Sequence, residues 1–538
     1  MRTGRHGHAT RRGYGQAMGN SANALVKRRP GQELLAEHES VSRRHTIRAM
    51  AVSTRFETVI GIEVHAQLRT ASKMFCDCPT AAPPGEPDEP NTRVCPVCLA
   101  LPGSLPVINR RAVELVMLTG LALDCHVETD AVRFERKNYF YPDLPKGYQI
   151  SQYALPLSSN GRLAVPVPSE RHEVTVRITR AHLEEDTARL QHAGRGYSAV
   201  DFNRAGVPLM EIVTEPDIRS PAQARAYGET LRDVLRYIGA SEGDMETGSM
   251  RIEGNVSLRP MGTDRFGTKV EVKNLNSFRS LERAMEYEVQ RQAEALDKGE
   301  LLTQETRGWD ETGGRTISQR SKEEANDYRY FPEPDLPPLR PSVEWVEELR
   351  SQLPELPAAR RARYATNLGL SEYDAGVLTA DLALADYFDA VVRAGASAKP
   401  AANWVTGEFS RLLNRHAVSG LRADAVALLP ERFAELIVAV ESGKVSSTNA
   451  KTVLALSFET GESPASIIER EGLGAVSDEG LIAEAVASVL EEHPSQVAEY
   501  RNGKQQVYSF LVGQVMKRTQ GRADARMVNE ELRRQLGG

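Results

Sequence analysis

The stretch Val59-Ile60-Gly61-Ile62-Glu63-Val64-His65-Ala66-Gln67-Leu68 alternates apolar with polar side chains, which predicts a half-buried β-strand. Because successive side chains on a strand point to opposite faces, Glu63, His65 and Gln67 should share the face opposite the core. A carboxylate and an imidazole held side by side can bind a metal ion or move a proton. An ordinary strand with a hydrated outer face would show the same alternation.

Acidic residues accumulate in later segments of the same kind. The predicted strand 172–179 leads into Glu184-Glu185-Asp186, three acids that repel one another unless a cation lies between them. Glu211 lies between the apolar residues Met210 and Ile212, where an unpaired carboxylate is costly to bury. We therefore expect these carboxylates to be paired, metal-bound or at a cleft. An acidic triplet taken alone is more often a solvated loop.

Two further segments interleave cations with acids. Residues 249–259 are polar at odd positions and apolar or glycine at even positions, which places Arg251 and Asn255 on one face. Residues 269–273 repeat the pattern and end at Lys273. Basic side chains beside carboxylates suit a phosphate group together with its metal ion, although an exposed antiparallel sheet would look similar.

The bulk composition is that of a globular protein. The chain has 538 residues, of which 41% are hydrophobic and 26% are charged, and this length predicts two to four domains. No apolar run is long enough to span a membrane. Since the net charge is -6, contact with a nucleic acid would need a local basic patch.

Residues 1–54 differ from the rest of the chain. The first 32 positions contain no acid, arginine recurs, and hydrophobic periodicity is absent before Phe56. Transit peptides are also rich in arginine and poor in acids, but this segment has no clear amphipathic helix. We expect a disordered extension, or a start assigned too early with Met50 as the true initiator.

Four of the five cysteines form two close pairs, Cys76-Asp77-Cys78 and Cys95-Pro96-Val97-Cys98. Two such pairs separated by a proline-rich loop resemble a zinc ribbon, and four thiolates give a closed, structural zinc site. Free thiols or disulfides are the alternatives. Cys125 stands apart and is expected to be a buried apolar residue.

The remaining patterns predict an α+β fold with a mostly antiparallel, curved sheet and packed helices, followed by all-α domains. Ser220-Pro221 marks a helix start, and a second helix is predicted from about Phe278 to Lys298. From about Pro341 the spacing of apolar residues is helical. Predicted helices there include Ala380–Ala394, Pro430–Glu441, Glu479–Glu492 and Gln505–Arg518.

The sequence lacks the motifs of several common enzyme classes. There is no GxxxxGK[ST] phosphate loop and no GxGxxG fingerprint, so a nucleotide would have to be bound in another way. There is also no GxSxG motif and no serine–lysine signature of an amide hydrolase. The polar strands could activate a carboxylate with a nucleotide, but nothing here would release ammonia.

Six blocks in order give the chain a resemblance to the B-subunit family of aspartyl/glutamyl-tRNA amidotransferases. The most specific block is Asn203-Arg204-x-Gly-x-Pro-Leu-x-Glu211. The resemblance runs from about Phe56 to Leu536 and leaves residues 1–54 uncovered. The blocks are Ile62-Glu63-Val64-His65, Lys137–Tyr153, His182–Asp186, Asp201–Asp217, Lys273–Phe278 and Asp327–Asp335.

The resemblance implies an activity, substrates and partners. The family phosphorylates the side-chain carboxylate of Glu-tRNA(Gln) or Asp-tRNA(Asn) with ATP and Mg²⁺, and ammonia made by a partner amidase displaces the phosphate. A third, small protein wraps the other two to give a heterotrimer, and the complex is cytoplasmic. The catalytic domain of the family is similar to glutamine synthetase and guanido kinases. Zinc is not common to all members, so here it is inferred from the thiols.

The resemblance also implies site residues and a domain plan. Expected catalytic residues are Glu63, His65, Glu185 and Glu211, and expected Mg²⁺ ligands are Glu63, His65, Glu184, Glu185 and Glu211. Strand parity adds Arg251, Asn255 and Lys273 for ATP or substrate, and Cys76, Cys78, Cys95 and Cys98 would bind zinc. The expected plan is an extension (1–54), a catalytic domain with the inserted cysteine loop (55–345), a helical linker (346–386) and a helical tRNA-binding tail (387–538).

Two other functions remain open at this point. The chain could be a zinc-stapled tRNA-binding adaptor without chemistry of its own, in which case the acidic strand faces would be structural. It could also be a free-standing ligase that acts on small molecules, and such a ligase would not need the helical tail.

Overall fold

The computed structural model describes residues 55–192, 196–321, 328–416, 427–475, 479–519 and 521–537. The predicted extension 1–54 and Asp327 of the last sequence block lie outside the described residues. Within the described residues the catalytic half of the chain is built on a nine-stranded sheet.

The described strands are numbered in chain order. They are β1 (Phe56–Gln67), β2 (His126–Val127), β3 (Glu135–Asn138), β4 (Tyr148–Ser151), β5 (Ser158–Val167), β6 (His172–Glu185), β7 (Arg189–His192), β8 (Ser198–Asp201), β9 (Pro208–Thr214), β10 (Met250–Pro260), β11 (Val270–Leu275), β12 (Glu305–Asp310), β13 (Arg315–Ser321) and β14 (Phe331–Pro332).

The large sheet has the order β13-β12-β11-β10-β1-β9-β6-β5-β2. Its named pairs are antiparallel except β11 with β12, which run parallel. Strand β1 is central and pairs with β10 on one side and β9 on the other. As the alternation predicts, Ile60, Ile62 and Val64 are buried in the core, and Glu63 and His65 lie on the opposite face.

Three helices cover the apolar face of this sheet: α1 (Arg110–Ala122), α2 (Pro221–Tyr237) and α3 (Phe278–Asp297). Each begins where a side chain accepts a hydrogen bond from a free backbone N–H of the first turn, and the capping residues are Asn109, Ser220 and Ser277. Because the helices occupy one face, the polar strand residues are left on the other face, beside the small sheet β14-β3-β4.

The rest of the described chain is helical. The helices are α4 (Val343–Ser351), α5 (Pro357–Leu368), α6 (Glu372–Leu378), α7 (Leu382–Arg393), α8 (Ala398–Trp404), α9 (Ser410–Arg415), α10 (Pro430–Glu441), α11 (Ser447–Thr460), α12 (Pro464–Arg470), α13 (Glu479–Glu492), α14 (Pro494–Arg501), α15 (Gln506–Arg518) and α16 (Ala525–Leu536). A π-helical turn, Val405–Phe409, joins α8 to α9. Helix α4 packs Val346 and Leu349 into the core of the large sheet, and two separate apolar cores hold the later helices, one within residues 364–467 and one within 482–536.

The expected fold class is confirmed as an α+β region with a mostly antiparallel sheet followed by an all-helical region. The predicted helices after residue 380 agree with α7, α10, α13 and α15 to within two residues at each end. One detail differs, because β6 does not stop before the three acids but continues to Glu185. None of the described helices has the length and apolar character needed to cross a bilayer.

Candidate active site

Four side chains form a row across four neighbouring strands of the large sheet. His182 of β6 lies opposite Glu211 of β9, Glu211 lies opposite His65 of β1, and His65 lies opposite Arg251 of β10. Directly opposed residues on adjacent strands have closely spaced Cβ atoms, so the row brings two imidazoles, a carboxylate and a guanidinium together on the polar face.

The first cluster consists of His65 and Glu211 from this row together with Glu184, two positions after His182 on β6. The Nε2 atom of His65 lies 3.6 Å from Glu211 Oε2 and 3.7 Å from Glu184 Oε2. His182 Nε2 lies 3.5 Å from Glu211 Oε2 and 3.6 Å from Glu184 Oε1. Glu184 is only 1% exposed, so its charge depends on these neighbours and on Lys137, whose Nζ lies 3.7 Å away.

The charges of this cluster are mutually dependent. Burial lowers the pKa of His65, but the hydrogen bond to Glu211 and the charges of Glu211 and Glu184 raise it further, so that it ends above its ordinary value. Burial and Glu184 raise the pKa of Glu211, yet the neighbouring imidazoles hold it at about 2. Burial raises the pKa of Glu184, but Lys137 and His182 keep it well below the usual range. Both carboxylates are therefore anionic and suited to a cation.

A second cluster, Glu63, Glu253 and Glu271, lies beside the first. One carboxylate oxygen from each of the three comes within 4.8 Å of the others. Lys273 Nζ lies 2.7 Å from Glu253 and 3.4 Å from Glu271. Burial, followed by the charges of Glu211 and Glu253, raises the pKa of Glu63. Lys273 thus pairs with two of the three converging carboxylates, and a divalent cation would relieve the repulsion among them.

The donor sets of the two clusters fit divalent ions. Glu63, Glu253 and Glu271 supply oxygen only, which suits Mg²⁺. His65, Glu184 and Glu211 combine one imidazole nitrogen with two carboxylates. Mg²⁺ prefers oxygen ligands, so this set would bind it through the carboxylates, and imidazole suits a transition metal better.

Both clusters open into one cavity of about 650 Å³. The opposite wall carries Tyr139, Tyr153, Tyr328 and Tyr330 together with Lys137, and Arg180 lines the cavity from β6 of the large sheet. The rings of Tyr153 and Tyr330 stack with centroids 4.7 Å apart, and the Arg180 guanidinium lies 5.5 Å from the Tyr153 centroid. Burial lowers the pKa of Lys137, but Glu184 and other neighbours raise it above its ordinary value, so that the ammonium remains charged.

Asp186 orients two polar side chains at one end of the cavity. Its carboxylate accepts hydrogen bonds from Arg251 Nη2 at 3.1 Å and from Gln67 Nε2 at 2.8 Å. Arg204 Nε lies 3.7 Å away. The cation predicted from strand parity, Arg251, is thus oriented at the cavity by a neighbouring acid.

The four paired cysteines converge in the loop between β1 and α1. All four Sγ atoms lie within 4.8 Å of one another, and the Cys95 and Cys98 sulfurs are 3.9 Å apart. Tetrahedral zinc with Zn–S bonds of about 2.3 Å needs sulfurs about 3.8 Å apart. A hydrogen bond from Cys76 lowers the pKa of Cys98 to about 4, and Lys73 adds to this effect. The four thiols therefore fit a zinc ion.

Comparisons with known proteins identify the family. Residues 58–347 match the sequence profile of the GatB/GatE catalytic domain, and residues 386–536 match that of the GatB domain. The chain belongs to the family of aspartyl/glutamyl-tRNA(Asn/Gln) amidotransferase B subunits. The B subunit of Moorella thermoacetica is 51% identical over 89% of this chain and 100% of its own length. Those of Persephonella marina and Thermodesulfovibrio yellowstonii are 50% and 48% identical over 89% and 88% of this chain and 99% and 98% of their own lengths.

The structure of this amidotransferase chain brings most of the sequence-predicted residues together. The cavity is lined by Glu63, His65, Glu184, Glu211, Arg251 and Lys273. The resemblance implied that Glu63 and His65 are both Mg²⁺ ligands, and the geometry places them in two neighbouring clusters.

Two predicted residues lie elsewhere. Glu185 follows Glu184 on a strand and therefore points to the other side, where it accepts hydrogen bonds from Lys146 Nζ at 2.7 Å and from the Ile150 amide at 3.0 Å. It lines a separate cavity of about 250 Å³ that the cysteine loop also borders. Asn255 donates to Glu63 Oε1 at 2.9 Å and faces a third cavity.

Several residues of the site were not predicted from the sequence. Glu253 and Glu271 each lie two positions from a predicted cation, Arg251 or Lys273, and so share its strand face. The alternation therefore already indicated that both acids face the site. His182 lies two positions before Glu184 and shares its face. By contrast, nothing local to the segments of Lys137 and the tyrosines shows that they would cover the sheet, because that contact depends on the separate sheet β14-β3-β4.

Proposed function

We propose that this chain is the B component of a tRNA-dependent amidotransferase that converts Glu-tRNA(Gln), Asp-tRNA(Asn) or both into the corresponding amide. The named activity of the relatives supports this proposal. The observation that carries it is the cavity itself, because two carboxylate clusters and several cations surround a space large enough for a nucleotide and an aminoacyl group.

The reaction class follows from the chemistry of a carboxylate, which is a poor electrophile. In the first step an oxygen of the substrate's side-chain carboxylate attacks the γ-phosphorus of ATP, the bond to ADP breaks, and an acyl phosphate forms. In the second step ammonia attacks the acyl carbon, inorganic phosphate leaves, and the nitrogen loses a proton to give the amide. The first step develops negative charge on the phosphoryl oxygens, which positioned cations stabilise.

The residues divide into groups with different roles. Glu63, Glu253 and Glu271 would hold one Mg²⁺ ion, and Glu184 and Glu211 would hold another, with His65 beside it as a hydrogen-bond partner of Glu211. Such ions would neutralise the charge on the phosphoryl oxygens. Lys273, Arg251 and Arg180 line the cavity from the large sheet and would contact phosphate, and Lys137 lies on the facing wall.

Glu185 and Asn255 have narrower roles in this proposal. Glu185 would not be a ligand of either proposed Mg²⁺ ion, because both of its oxygens accept hydrogen bonds outside the main cavity. It would instead pair with Lys146 at the cavity of about 250 Å³. Asn255 would orient Glu63, to which it donates a hydrogen bond.

The other parts of the proposal concern fold relatives, partners and location. The large antiparallel sheet with its polar face is compatible with a catalytic domain similar to glutamine synthetase and guanido kinases. Ammonia would come from a partner amidase, with a third, small protein holding the heterotrimer together, in the cytoplasm. The domain plan stays a proposal, with a catalytic domain at 55–345, a linker at 346–386 and a tail at 387–538.

Zinc would have a structural role. Residues 82–92 of the cysteine loop are nearly all exposed, so the loop has little apolar core to hold its ends. Four thiolates around one zinc ion leave no open coordination position, which excludes that ion from the chemistry.

The tail would contact the tRNA backbone. Arg501, Lys504, Lys517 and Arg526 are exposed, and Arg518 and Lys504 also pair with Glu492 and Glu499. Contacts with phosphates would make the affinity for tRNA fall as salt rises.

The decisive experiment reconstitutes the chain with its copurified partner proteins. Amide formation is measured with Glu-tRNA(Gln), with Asp-tRNA(Asn) and with free glutamate, each with ATP, Mg²⁺ and ammonium chloride. Amidation of either aminoacyl-tRNA, with ADP released in step, is the expected result. Amidation of free glutamate by a chain truncated after Lys399 would instead identify a free-standing ligase.

The adaptor hypothesis is tested in the same assay. An adaptor would bind the tRNA but would leave its aminoacyl group unphosphorylated. If ADP release persisted in Glu211→Gln while tRNA binding failed, the chemistry would lie outside this chain and the adaptor would be the better description.

A further inference from the structure

Lys73 is a lysine buried in an unusual place. It precedes the first cysteine pair in the loop between β1 and α1, and its side chain is 0% exposed. Transferring an ammonium group from water into a protein interior is costly unless an opposite charge and hydrogen bonds compensate. The surroundings of Lys73 should therefore show what compensates its charge.

The nearest polar atoms to the Lys73 ammonium belong to a carbonyl and a thiol. Its Nζ atom donates to Phe202 O at 3.1 Å and lies 3.7 Å from Cys98 Sγ. Among the residues that the structure describes, no carboxylate lies within 4.0 Å of this atom. A neutral carbonyl satisfies one donor but does not balance the charge.

Three other lysines of the catalytic half show the contrast. Lys137, Lys146 and Lys273 each have a glutamate oxygen within 4.0 Å, at 3.7, 2.6 and 2.7 Å. Each of these lysines is less deeply buried than Lys73. The most buried of the four therefore faces a sulfur where the others face a carboxylate.

We propose that the Lys73 ammonium is the counter-ion of a zinc–tetrathiolate centre formed by Cys76, Cys78, Cys95 and Cys98, to which it donates a hydrogen bond at the Cys98 sulfur. This inference rests on the zinc site proposed above. One Zn²⁺ and four thiolates carry a net charge of -2, and one buried ammonium halves that excess. Lys73 thus positions and balances the metal centre without being a ligand of it.

The same side chain links the metal centre to the strand that carries Glu211. Phe202 O belongs to the turn between β8 and β9, and the Met74 amide donates to Gly206 O in that turn at 2.7 Å. Gly206 has a φ of +82°, and a Cβ atom there would lie 3.6 Å from Lys73 Cδ and 3.7 Å from Cys98 Cβ. The cysteine loop and the turn are therefore packed together around Lys73.

The test compares zinc binding by the full-length chain and three variants. Lys73→Gln keeps a hydrogen-bond donor for Phe202 but removes the charge, and Lys73→Met removes both. Lys298→Met, on an exposed residue, is the control. Zinc content is measured by mass spectrometry and zinc affinity by competition with a chelator.

We expect the parent and Lys298→Met to hold one zinc per chain. Lys73→Gln and Lys73→Met should bind zinc about 10- to 100-fold more weakly, the usual cost of removing a partner of a metal ligand. Unchanged affinity in Lys73→Gln would overturn the counter-ion role. A parent that takes up no zinc, while its amidation activity is intact, would refute the zinc site itself, and that result is visible before Lys73 is altered.

A second measurement separates charge from packing. Tm is recorded for each protein with zinc and after chelator treatment. If Lys73 balances the thiolates, Lys73→Gln lowers Tm more in the zinc-loaded protein than in the stripped protein. Equal losses with and without zinc would show that Lys73 acts only through packing, and would count against the proposal. Cobalt substitution gives a thiolate charge-transfer band, which should persist in Lys73→Gln because the ligands remain.

Discussion

The two kinds of cluster to which we assign metal ions are built in opposite ways. The carboxylate clusters of the cavity take their side chains from strands as far apart in sequence as Glu63 and Glu271. The thiol cluster takes all four ligands from one loop, residues 76–98. The carboxylate clusters depend on the register of the sheet, whereas the thiol cluster depends on the spacing of cysteines within one segment.

This difference has a consequence for what each ion does. The sheet is held by a large apolar core on its other face, so the carboxylates remain in place whether or not an ion is bound. The cysteine loop is mostly exposed and lacks such support. Replacing a carboxylate should therefore lower activity without unfolding the protein. Replacing a thiol should disrupt the loop locally without lowering the rate of the reaction.

The largest expected effect is on catalysis. Glu211→Gln removes an anionic ligand of the first cluster and should lower kcat/KM for phosphorylation of aminoacyl-tRNA about 10³-fold, or about 4 kcal/mol in the barrier. Tm should change little. ADP release in single-turnover assays measures the loss.

The matched control is Glu215→Gln. Glu215 follows β9 and accepts a hydrogen bond from Thr179 outside the cavity. It should keep nearly full activity. Equal losses in both variants would mean that the effect comes from the strand rather than from the cluster.

Glu184 and Glu185 are adjacent in sequence, and comparing them tests which strand face binds the ion. Glu184 faces the cavity and Glu185 faces away from it, toward Lys146. Glu184→Gln should lower the rate of ATP-dependent phosphorylation about 10²-fold by weakening the hold on the ion, and Glu185→Gln should leave that step nearly unchanged. Isothermal titration with Mn²⁺ should show weaker binding only for Glu184→Gln.

The reverse outcome would restore the assignment made from sequence. If Glu185→Gln lost phosphorylation and Mn²⁺ binding while Glu184→Gln kept both, Glu185 would be the ligand. The side chain would then have to leave its hydrogen bonds with Lys146 and Ile150 when the ion binds.

The thiol cluster should respond in the opposite way to the carboxylates. Cys95→Ser should release zinc and lower Tm by several degrees, because the loop loses the ion that closes it. The phosphorylation rate per folded molecule should be retained. Zinc content by mass spectrometry and thermal unfolding measure the first two effects, with Cys125→Ser as a control outside the cluster. The same zinc content in Cys95→Ser and the parent would contradict the site.

The comparison also explains which parts of the site could be predicted from sequence. Cys76, Cys78, Cys95 and Cys98 are close in the chain, so their spacing alone predicted the cluster that the structure shows. The alternation around Glu63 and His65 predicted which side chains share a face, because strand parity is a local property. It did not predict which strands are neighbours, so the division of Glu63 and His65 between two clusters could not be predicted from it.

Glu185 shows the limit of local reasoning. The acids 184–186 were treated as the end of a strand, where side chains are free to converge. Since β6 continues through Glu185, alternation applies to the acids as well and separates Glu184 from Glu185. The wall of tyrosines was beyond prediction for another reason, because it is brought to the cavity by pairing between β3, β4 and β14.

The smallest expected effect concerns stability without metal. Burial and neighbouring carboxylates raise the pKa of Glu63. The ionised form of Glu63 therefore destabilises the folded state relative to the unfolded state. Glu63→Gln removes that penalty and keeps an acceptor for Asn255. In metal-free buffer at pH 8 the variant should therefore be more stable than the parent, because only the parent must keep an ionised carboxylate in this buried position.

The sign of the pH dependence follows from the direction of the shift. A carboxyl group whose pKa is higher in the folded state makes the parent more stable as the pH falls through that folded pKa, because folding then favours proton uptake. The advantage of Glu63→Gln should shrink over that range and vanish once Glu63 is protonated in both states. Urea unfolding between pH 4 and pH 8 in the presence of a chelator measures this difference. A constant difference across that range would show that the folded state does not raise the pKa of Glu63. Added Mg²⁺ should reverse the order of stability, because the ion binds the parent's three carboxylates more tightly than the variant's two.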